Sequence, residues 1–594
     1  MTAQYILGID LGTTNSVVAY ASLEDDEQPS VELLPIPQLV AAGSTESRNS
    51  LASFLYLASQ QEAGDAYALP WSDGADFAVG ELARRQAAEV PHRTVGAAKS
   101  WLCHSRVDRH QPILPWNAPA DVPKVSPVTA SRRYLEHLAA AWGDAHPEAP
   151  IEQQKIVLTV PASFDAAARE LTREAALAAG FPEDLVLLEE PQSAVYAWLA
   201  ELGDQWRKRL KVGDRLLVCD VGGGTTDLTL VGVAEEAGEL VLKRLAVGNH
   251  LLVGGDNMDL ALAHHAAGKF QEKGVELDPW QSVALWHSCR AAKETLLTGD
   301  GQPKHPIAVL GRGSKLIGGT VTVDVERDQV LQLLLDGFFP TCEFAERPQR
   351  RRMSGFQEIG LPFETDTAVT RHLAEFLHAH GDDSGPVHPS HLLFNGGVFK
   401  AAPLRQRLID TLASWSGDQP PEVFGGEDDL DYAVARGAAY YGWAKQHGGI
   451  RIRGGTARSY YVGIETAGLA VPGAPRPLRA LCVVPFGMEE GTEADVPSDE
   501  IGLVVGEPAH FRFFNSPVRK HDQPGDLLDR WTPEELAETD PLETTLSRAE
   551  DVDEPYVPVR FHSRVTELGM FELWCVSAKG DRRWKLEFSV REED

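Results

Sequence analysis

The most constraining feature of the sequence is a glycine-rich turn between two apolar runs, LLVCDVGGGTTDLTLVGV at 216–233. An apolar run at 216–219 and an alternating run at 228–233 predict two strands joined as a hairpin. Three adjacent glycines let main-chain N–H groups approach one point closely, which suits phosphate oxygens. Asp220 and Asp227 offer carboxylates to a hydrated Mg²⁺. Taken alone, the segment fits an ordinary glycine-rich hairpin with a solvated acidic tip better than a nucleotide site, because short motifs often match by chance.

A second segment near the N-terminus repeats this pattern, with YILGIDLGTTNSVVAYA at 5–21. It also has an apolar run, an aspartate (Asp10), a Gly-Thr-Thr turn and a second apolar run. Two such units in one chain indicate a duplicated core that holds one ligand between the copies. No GxxxxGK[ST] motif occurs in the sequence, so a Walker-type phosphate loop is excluded.

Length, charge and cysteine spacing limit the class of protein. A chain of 594 residues exceeds one hydrophobic core, so two or more domains are expected. The net charge of −32 argues against nucleic-acid binding, because the phosphate backbone would be repelled. No apolar run is long enough to span a membrane and the N-terminus lacks a signal-type pattern, so a cytoplasmic location is expected. Six cysteines without CxxC spacing predict reduced, mostly buried thiols.

The two hairpin motifs resemble those of the actin/hexokinase/heat-shock ATPase superfamily, and specifically the DnaK-like heat shock protein 70 family. Further segments similar to that family follow in the same order: VLTVPASF at 157–164, LEEPQSA at 188–194, VGGDNMD at 253–259 and NGGVFK at 395–400. The resemblance implies an α/β fold, with a two-lobed actin-like nucleotide-binding domain and a duplicated core at 1–445. It also implies ATP or ADP as ligand, with Mg²⁺ and, as a further candidate, K⁺.

The resemblance assigns roles to particular residues of the cleft. Those implied to act in catalysis are Asp10, Arg84, Glu190, Asp220, Thr225 and Asp227. Of these, Asp10, Glu190 and Asp220 are implied to hold Mg²⁺, mostly through water. Those implied to contact the nucleotide are Gly12, Thr13, Thr14, Asn15, Gly222, Gly223, Gly224, Thr225, Gly254, Gly255, Arg290, Lys293, Gly396, Gly397 and Asp431.

Two of these positions have their own physical interpretation. The family has a lysine where this chain has Arg84, and arginine offers a planar fork rather than a point charge to a phosphoryl group. A plain surface helix cation is the alternative for Arg84. Gly254 and Gly255 precede an apolar-periodic helix, whose N-terminus is a natural site for a phosphate or ribose oxygen.

After the nucleotide-binding region, the composition changes at a glycine-rich linker predicted at 446–457. The segment SYYVGIETAG at 459–468 resembles the start of the family's β-sandwich peptide-binding domain, which predicts a β-rich domain at 458–594 without a helical lid. Strands are predicted at 478–484, 501–505, 509–514, 557–562 and 571–576. The acidic segment 522–553 is predicted to be irregular. Residues 340–364 are interpreted as a loop excursion of the second lobe.

Three classes of function fit these observations. The first is an ATP-dependent chaperone of the DnaK type, which hydrolyses Mg·ATP and couples it to a β domain that binds unfolded polypeptide. Its partners would be client polypeptides together with J-domain and nucleotide-exchange co-chaperones, and neither nucleic acid nor membrane. The second is a nucleotide-switched adaptor with little turnover that binds one dedicated protein. The third is a small-molecule kinase on the same fold, against which the β domain argues.

Overall fold

The computed structural model describes most of the chain. The described residues are 3–24, 29–59, 61–62, 64–104, 106–236, 238–298, 302–309, 320–349, 361–381, 385–425, 430–448, 452–453, 455–465, 478–489, 491–546, 556–566, 571–580 and 582–588. Part of the predicted excursion at 340–364, part of the linker and the end of the SYYVGIETAG segment lie outside these residues.

The first lobe is built from the elements between residues 3 and 211. They are strands β1 (Tyr5–Leu11), β2 (Asn15–Ser22), β3 (Glu32–Leu33), β4 (Ile36–Ala41), β5 (Ser44–Arg48), β6 (Leu51–Ala52), β7 (Leu55–Leu57), β8 (Phe77–Val79), β9 (Thr94–Val95), β10 (Lys155–Val160) and β11 (Val186–Glu189). The helices are α1 (Glu81–Glu89), α2 (Ala98–Trp101), α3 (Pro127–Ala145), α4 (Ala166–Ala178), α5 (Glu190–Leu202) and α6 (Trp206–Arg209).

The second lobe is built from the elements between residues 215 and 453. They are strands β12 (Arg215–Val221), β13 (Thr226–Glu236), β14 (Glu239–Val247), β15 (Lys304–Val309), β16 (Val321–Glu326), β17 (His391–Asn395), β18 (Glu422–Phe424) and β19 (Ile452–Arg453). The helices are α7 (Gly255–Glu272), α8 (Pro279–Leu297), α9 (Arg327–Phe338), α10 (Val369–Ala379), α11 (Ala402–Trp415) and α12 (Ala433–His447).

The main sheets of the two lobes repeat one strand order. The first sheet runs β11-β10-β1-β2-β3, and the second runs β18-β17-β12-β13-β14-β19. In each, an antiparallel hairpin (β1–β2 or β12–β13) has two further strands added in parallel on its first-strand side. In each, the strand added on the other side is antiparallel. This shared order confirms the duplicated α/β core that the paired motifs predict.

Helices α5 and α12 pack against each other between the two sheets, and small residues let them approach closely. Gly437 of α12 lies so near α5 that an added Cβ would be 1.8 Å from the Ser193 carbonyl oxygen. The Ser193 hydroxyl donates a 2.6 Å hydrogen bond to the Val434 carbonyl across the same contact. The helix pair therefore depends on a residue without a side chain at position 437.

We expect Gly437→Ala to destabilise the protein by about 1–3 kcal/mol, because the new methyl group overpacks the α5–α12 contact. Gly268→Ala is the matched control, since Gly268 lies on α7 with nothing within 4 Å of its added Cβ. There the better helix propensity of alanine is expected to stabilise by about 0.5–1 kcal/mol. Scanning calorimetry measures both changes. Equal unfolding temperatures for the two variants would contradict the packing argument.

In the C-terminal β unit, which we define as residues 455–588, the regular elements of the described residues are strands. They are β20 (Ser459–Glu465), β21 (Leu478–Val484), β22 (Glu493–Asp495), β23 (Ile501–Val504), β24 (Pro508–Ser516), β25 (Leu527–Leu528), β26 (Ala537–Thr545), β27 (Tyr556–Val565), β28 (Phe571–Ser577) and β29 (Arg583–Phe588). Their pairing order is β22-β27-β28-β29-β26-β24-β20-β21-β25, with β23 on β27. All five strands predicted in this region are confirmed to within a few residues. A sandwich arrangement stays a prediction.

The prediction of an irregular segment at 522–553 is wrong over part of its length. It contains β25 and the nine-residue strand β26, which pairs with β24 and β29. Proline 541 lies inside β26, opposite a register shift between Phe511 and Phe513 of β24. A bulge of this kind is where a sheet tolerates a proline. Residues 547–553 lie outside the described part of the chain.

The linker segment is not an isolated tether, because part of it forms β19 at the edge of the second-lobe sheet. β19 pairs in parallel with β14, with Ile452 opposite Leu242. The Ile452 N–H donates a 2.8 Å hydrogen bond to the Tyr196 hydroxyl of α5. The chain that leads into the C-terminal β unit is therefore fastened to both α5 and β14. The proposed division of the chain at 446–457 stays a prediction.

The C-terminal β unit contacts both lobes through polar groups. Asp540 forms a buried ion pair with Arg109 of the first lobe, at 2.9 and 3.0 Å between its oxygens and the two terminal guanidinium nitrogens. Lys520 donates a 2.8 Å hydrogen bond to the Leu245 carbonyl of β14. Arg458 donates to the Gly248 carbonyl at 3.2 Å. These polar contacts attach the β unit to both lobes.

Two simpler predictions can be compared directly with the structure. All six cysteines are free thiols, five of them buried and Cys103 partly buried, as their spacing predicts. Among the described residues, no helix is both long enough and apolar enough to cross a membrane.

Candidate functional site

The turns of the two repeated hairpins face each other across the gap between the lobes. An added Cβ on Gly223, in the second turn, would lie 2.1 Å from the Thr14 hydroxyl oxygen in the first turn. On the neighbouring Gly224 it would lie 3.1 Å from the Thr13 methyl group. Glycine is required here because the turns approach each other more closely than any side chain permits. The two copies of the duplicated core therefore meet at their hairpin tips.

A cavity of about 470 Å³ opens where these tips meet, and both lobes line it. It contains most of the residues that the resemblance implies. These are Asp10, Gly12, Thr13, Thr14, Asn15, Glu190, Asp220, Gly222, Gly223, Thr225, Gly255, Arg290, Lys293, Gly396, Gly397 and Asp431. Residues more than four hundred positions apart in the chain thus converge on one space, which is large enough for a small-molecule ligand.

The hairpin turns offer hydrogen-bond donors to this cavity. Within the described residues, the N–H groups of Thr13, Thr14 and Gly223 donate to no other protein group. Main-chain N–H groups in folded proteins nearly always find an acceptor in the protein, in water or in a ligand. Successive free N–H groups in a turn form an anion-binding concavity. The cavity wall formed by the two turns therefore suits an anionic group such as a phosphate.

Acidic side chains gather at the same end of the cavity. Asp10 is the penultimate residue of β1 and accepts a 3.4 Å hydrogen bond from the Thr159 hydroxyl. Asp220 is the penultimate residue of β12 and accepts a 2.7 Å hydrogen bond from the Asn395 side-chain amide. Glu190 is the first residue of α5 and only 9% exposed. Equivalent positions at the ends of β1 and β12 thus carry the two aspartates, as the duplication predicts.

Burial and mutual repulsion act together on these carboxyl groups. Burial, followed by the charge of Asp227, raises the pKa of Asp220 to about 7, and Asp10 adds to the effect. Burial also raises the pKa of Asp10, against the attraction of Lys99. The pKa of Glu190 is raised in the same way. Burial and repulsion therefore disfavour the ionised form of all three carboxyl groups, and a bound cation would favour it.

Lys99 of α2 is a cleft residue that the sequence motifs miss. It is 7% exposed, and its ammonium group contacts the Glu190 carboxylate. Burial lowers the pKa of Lys99, but Glu190, Asp10 and Asp227 outweigh burial and raise it, so the side chain stays charged. A lone lysine within the apolar stretch GAAKSWLC at 96–103 was the signal that could have identified it.

The donor set fits a magnesium ion held mainly through water. It consists of carboxylate oxygens, which hard cations such as Mg²⁺ prefer. Across the described ranges, no three His, Cys, Asp or Glu side chains converge tightly enough to coordinate a metal directly. Mg²⁺ usually keeps several waters and binds through one or two carboxylates plus substrate phosphates. A hydrated Mg²⁺ ion close to Asp10, Glu190 and Asp220 would reduce the repulsion among these three carboxylates.

The opposite end of the cavity is lined by α7 and α8, where charges are already paired. Arg290 contacts Asp256 and bonds Asp259 at 3.0 Å. Lys293 bonds Asp259 at 2.7 Å and the Gly255 carbonyl at 2.8 Å. The Arg290 guanidinium also lies 5.3 Å from the centre of the Phe54 ring, which belongs to the first lobe. Arg290 therefore lines the cavity and also holds the lobes together beside it.

The remaining wall comes from the turn after β17 and the start of α12. Gly396 has φ of 88°, and an added Cβ would lie 2.3 Å from the Val221 carbonyl oxygen, so glycine is required there. Asp431 is paired with Lys400 at 2.5 Å. Both residues line the cavity beside Gly397. This wall and α8 line the same cavity.

Four of the predicted residues do not line the cavity, namely Arg84, Gly224, Asp227 and Gly254. Arg84 pairs with Glu81 at 2.8 Å and its side chain is 33% exposed, which agrees with the surface alternative. Asp227 is buried behind the turn, where it accepts hydrogen bonds from the Ser163 N–H at 3.1 Å and the Thr225 hydroxyl at 3.2 Å. Gly224 lies where the two turns touch. Gly224 therefore has a structural role, because its lack of a side chain lets the two turns touch.

Gly254 and Gly255 act differently from the prediction, although Gly255 reaches the cavity wall. The Gly254 N–H bonds the Asn257 side chain at 2.9 Å, and the Gly255 N–H bonds the Gly222 carbonyl at 2.9 Å. The Asp256 N–H bonds the Gly223 carbonyl at 2.7 Å. The start of α7 therefore uses its N–H groups to position the second hairpin, not to meet a ligand oxygen.

A second cavity, of about 820 Å³, lies between the lobes, the linker and the C-terminal β unit. Its buried glutamate, Glu189, is held by Arg244 and by Arg169, the latter at 2.9 Å. Burial opposes ionisation of Glu189, but these two arginines together lower its pKa. The buried charge of Glu189 is thus already paired with two arginines. The second cavity is therefore a weaker candidate for a catalytic site than the cavity at the hairpins.

Comparison with known proteins gives an independent result. Residues 70–338 match the family model described as Hsp70 protein. The chain is 27% identical over 301 residues to the chaperone protein DnaK of Stenotrophomonas maltophilia, which covers 48% of this chain and 42% of that protein. It is 29% identical over 276 residues to the chaperone protein DnaK of Thermotoga petrophila, covering 46% and 38% respectively. The matches therefore span less than half the length of either relative.

The family-model match falls on the part of the chain that contains the second hairpin, α7 and α8. The resemblance of the motifs, the repeated sheet order and the convergence of the motif residues on one cavity agree with it. Over residues 70–338 the chain is therefore similar to the Hsp70 family.

Proposed function

We propose that this protein binds Mg·ATP in the cavity between its lobes, hydrolyses it, and uses the nucleotide state to control its C-terminal β unit as a chaperone. One observation carries the proposal: two copies of one hairpin face each other with free N–H groups and excess carboxylates at their tips. Such a pair suits a triphosphate, because N–H groups bind the phosphates and carboxylates attract the accompanying cation.

The chemistry proposed is transfer of a phosphoryl group to water. The water oxygen forms a bond to the terminal phosphorus, while the bond from that phosphorus to the bridging oxygen breaks and leaves its electron pair on ADP. The water proton leaves to solvent, so the products are ADP and inorganic phosphate. Catalysis in such transfers is mainly positioning and charge stabilisation. Bound Mg²⁺ would supply neutralisation of the phosphate charge.

The chain's own residues divide this work. Asp10, Asp220 and Glu190 hold the hydrated cation, and the N–H groups of the two turns hold the phosphates. Glu190 and Thr225 bring acceptor oxygens to the same end of the cavity and orient the attacking water, while Asp227 behind the turn accepts the hydrogen of the Thr225 hydroxyl. Arg290, Lys293 and Gly396–Gly397 form the adenosine end, where paired charges and small residues leave a slot between α8 and the turn after β17.

Coupling to the C-terminal β unit is proposed to run through the residue beside Glu190. Glu189 contacts Arg244, and Arg244 contacts the Gly455 carbonyl at the start of the β unit. A shift of α5 on nucleotide binding would therefore be transmitted to the linker and bias the position of the β unit. Client polypeptides, J-domain proteins and exchange factors are the partners proposed on this basis.

A nucleotide-switched adaptor is the second candidate, and the buried Arg109–Asp540 pair favours it. Such a pair holds the β unit firmly against the first lobe, which suits a protein that changes state seldom. The two candidates differ in turnover and in the range of polypeptides bound.

The test combines nucleotide binding with turnover. Calorimetric titration with Mg·ATP is expected to give one site per chain, and a single-turnover assay is expected to release phosphate. A permanently unfolded polypeptide is expected to bind more weakly with ATP than with ADP. Binding without phosphate release or client binding would support the adaptor, and transfer to an added sugar would support a kinase. Absence of nucleotide binding would contradict the proposal.

A further inference from the structure

Lys99 differs in position from the other described cations that line the cavity at the hairpins. The other lining cations are Lys293, Lys400 and Arg290, and each is paired with an aspartate at the adenosine end or its wall. Lys99 lies at the hairpin end, in contact with Glu190. The charges of Asp10 and Asp227 also act on it. It is therefore the described lining cation closest to the groups that would handle phosphates and the attacking water.

The backbone around Lys99 shows that this placement is held by the fold. Ala97, two positions earlier, has φ of 54°, a left-handed conformation that alanine rarely adopts. Backbone strain of this kind persists where the surroundings over-determine it, and it is common at functional sites. The strained residue turns the chain so that the short helix α2 directs Lys99 into the cavity.

α2 also contacts the second hairpin. An added Cβ on Gly224 would lie 2.5 Å from the Ser100 hydroxyl oxygen, so α2 packs directly against that turn. The same hydroxyl is buried and has no hydrogen-bond partner among the described groups. α2 therefore lies beside both hairpin tips, with one cation and one unsatisfied polar atom directed toward them.

From this placement we propose that Lys99, and not Arg84, is the side chain that contacts the terminal phosphate of ATP, and that it exchanges Glu190 for that phosphate on binding. The inference rests on the proposed function and specifies how its site works. A lysine ammonium is a compact point charge with three donors and suits a phosphate oxygen. Release of Glu190 from the ion pair frees its carboxylate to accept a hydrogen bond from the attacking water.

Arg84 is the rival cation, because the motif resemblance assigns the phosphate contact to its position. Its side chain is paired with Glu81, and Glu81 is also paired with Arg48 and Arg85. These pairs hold Arg84 beside Glu81 of its own helix, and Arg84 is not among the residues that line the cavity. A role in phosphate contact would require it to leave Glu81 and enter the cleft.

The experiment compares Lys99→Met with Arg84→Met, and with Lys155→Met as a control for loss of an exposed, paired lysine. Calorimetry gives the affinities for Mg·ADP and Mg·ATP, and a single-turnover assay gives the hydrolysis rate. Lys99→Met is expected to reduce the rate about 100-fold or more, as removal of one preorganised donor does. We expect its Mg·ADP affinity to stay near that of the parent while its preference for Mg·ATP is lost.

Retained Mg·ADP affinity also shows that Lys99→Met is folded. A second variant, Glu190→Gln, keeps Lys99 but removes its partner. It is expected to keep the preference for Mg·ATP over Mg·ADP, because Lys99 is still present, while its turnover falls because the acceptor for the attacking water is lost. Parent-like turnover and ATP preference in Lys99→Met, or loss of both in Arg84→Met alone, would overturn the inference. If the parent itself bound no Mg·nucleotide, the proposed function would fail, which is a distinct result.

Discussion

Replacing Asp540 by alanine is expected to lower the free energy of unfolding of the C-terminal β unit by about 3–5 kcal/mol. The reason is that Arg109 is 1% exposed, so its charge would stay buried without its partner. Burial already raises the pKa of Asp540 against the attraction of Arg109, which shows how little solvent reaches the pair. Unfolding by urea, followed by the fluorescence of tryptophans in the β unit, measures the change.

The same strand offers the control for this prediction. Glu538 of β26 pairs with Arg512 at 2.5 Å, but both side chains are about half exposed. Exposed pairs contribute little, so Glu538→Ala is expected to cost less than about 1 kcal/mol. The double change Arg109→Met with Asp540→Leu removes both charges and is expected to recover most of the loss. Similar costs for Asp540→Ala and Glu538→Ala would show that the interdomain pair is not buried in solution.

Replacing Asp220 by asparagine is expected to have two opposite effects. The affinity for Mg·ATP should fall about 10–100-fold, because a carboxylate that holds the hydrated cation is lost. The nucleotide-free protein should become more stable, because one of the mutually repelling buried charges is removed. Asparagine can still accept the hydrogen bond that Asn395 donates to Asp220 at 2.7 Å. Calorimetric titration and thermal unfolding measure the two effects.

The stability difference should depend on pH in a defined direction. The pKa of Asp220 is raised from 3.8 to about 7 in the folded protein. Between these values the folded state keeps a proton that the unfolded state has lost, so stability falls as pH rises through this window. Asp220→Asn removes this contribution, and its advantage over the parent should be larger at about pH 8 than at about pH 4.

Asp184→Asn is the control for Asp220→Asn, because Asp184 is exposed and paired with Lys155 at the surface. It is expected to change neither the Mg·ATP affinity nor the stability of the nucleotide-free protein appreciably. A stability advantage of Asp220→Asn that did not vary with pH would contradict the assigned origin of the pKa shift. Unchanged Mg·ATP affinity would contradict the role of Asp220 itself.

Features set by local sequence were predictable. The two hairpins follow from apolar runs that flank glycine-rich turns, and their pairing followed from the repetition of one pattern. The strand at 478–484 has the same bounds in the structure, since LRALCVV ends in an apolar run at 480–484 that fits a buried strand. The cleft carboxylates Asp10 and Asp220 were predictable because each follows an apolar run directly and lies next to the last residue of a strand of the duplicated core.

Features set by tertiary packing were not predictable in the same way. The motif resemblance predicts that Arg84 contacts the phosphate, but in the structure Arg84 pairs with Glu81 outside the cavity. Lys99 lines the cavity instead, after a residue with positive φ at Ala97. The acidic composition of 522–553 did not predict β26. Its buried residue Asp540 is paired with Arg109, which belongs to the first lobe and is far away in the sequence. The N–H groups at 254–256 bond the second hairpin, a contact that no local pattern indicates.

The central claim is that one nucleotide is held by both hairpin turns at once. Amide hydrogen exchange with and without saturating Mg·ADP tests it most directly, with peptides that cover residues 11–15 and 222–225 observed in the same sample. We predict that exchange slows in both turns together. Slowing in one turn alone, or in neither while calorimetry shows the nucleotide bound, would contradict a ligand held between the two copies.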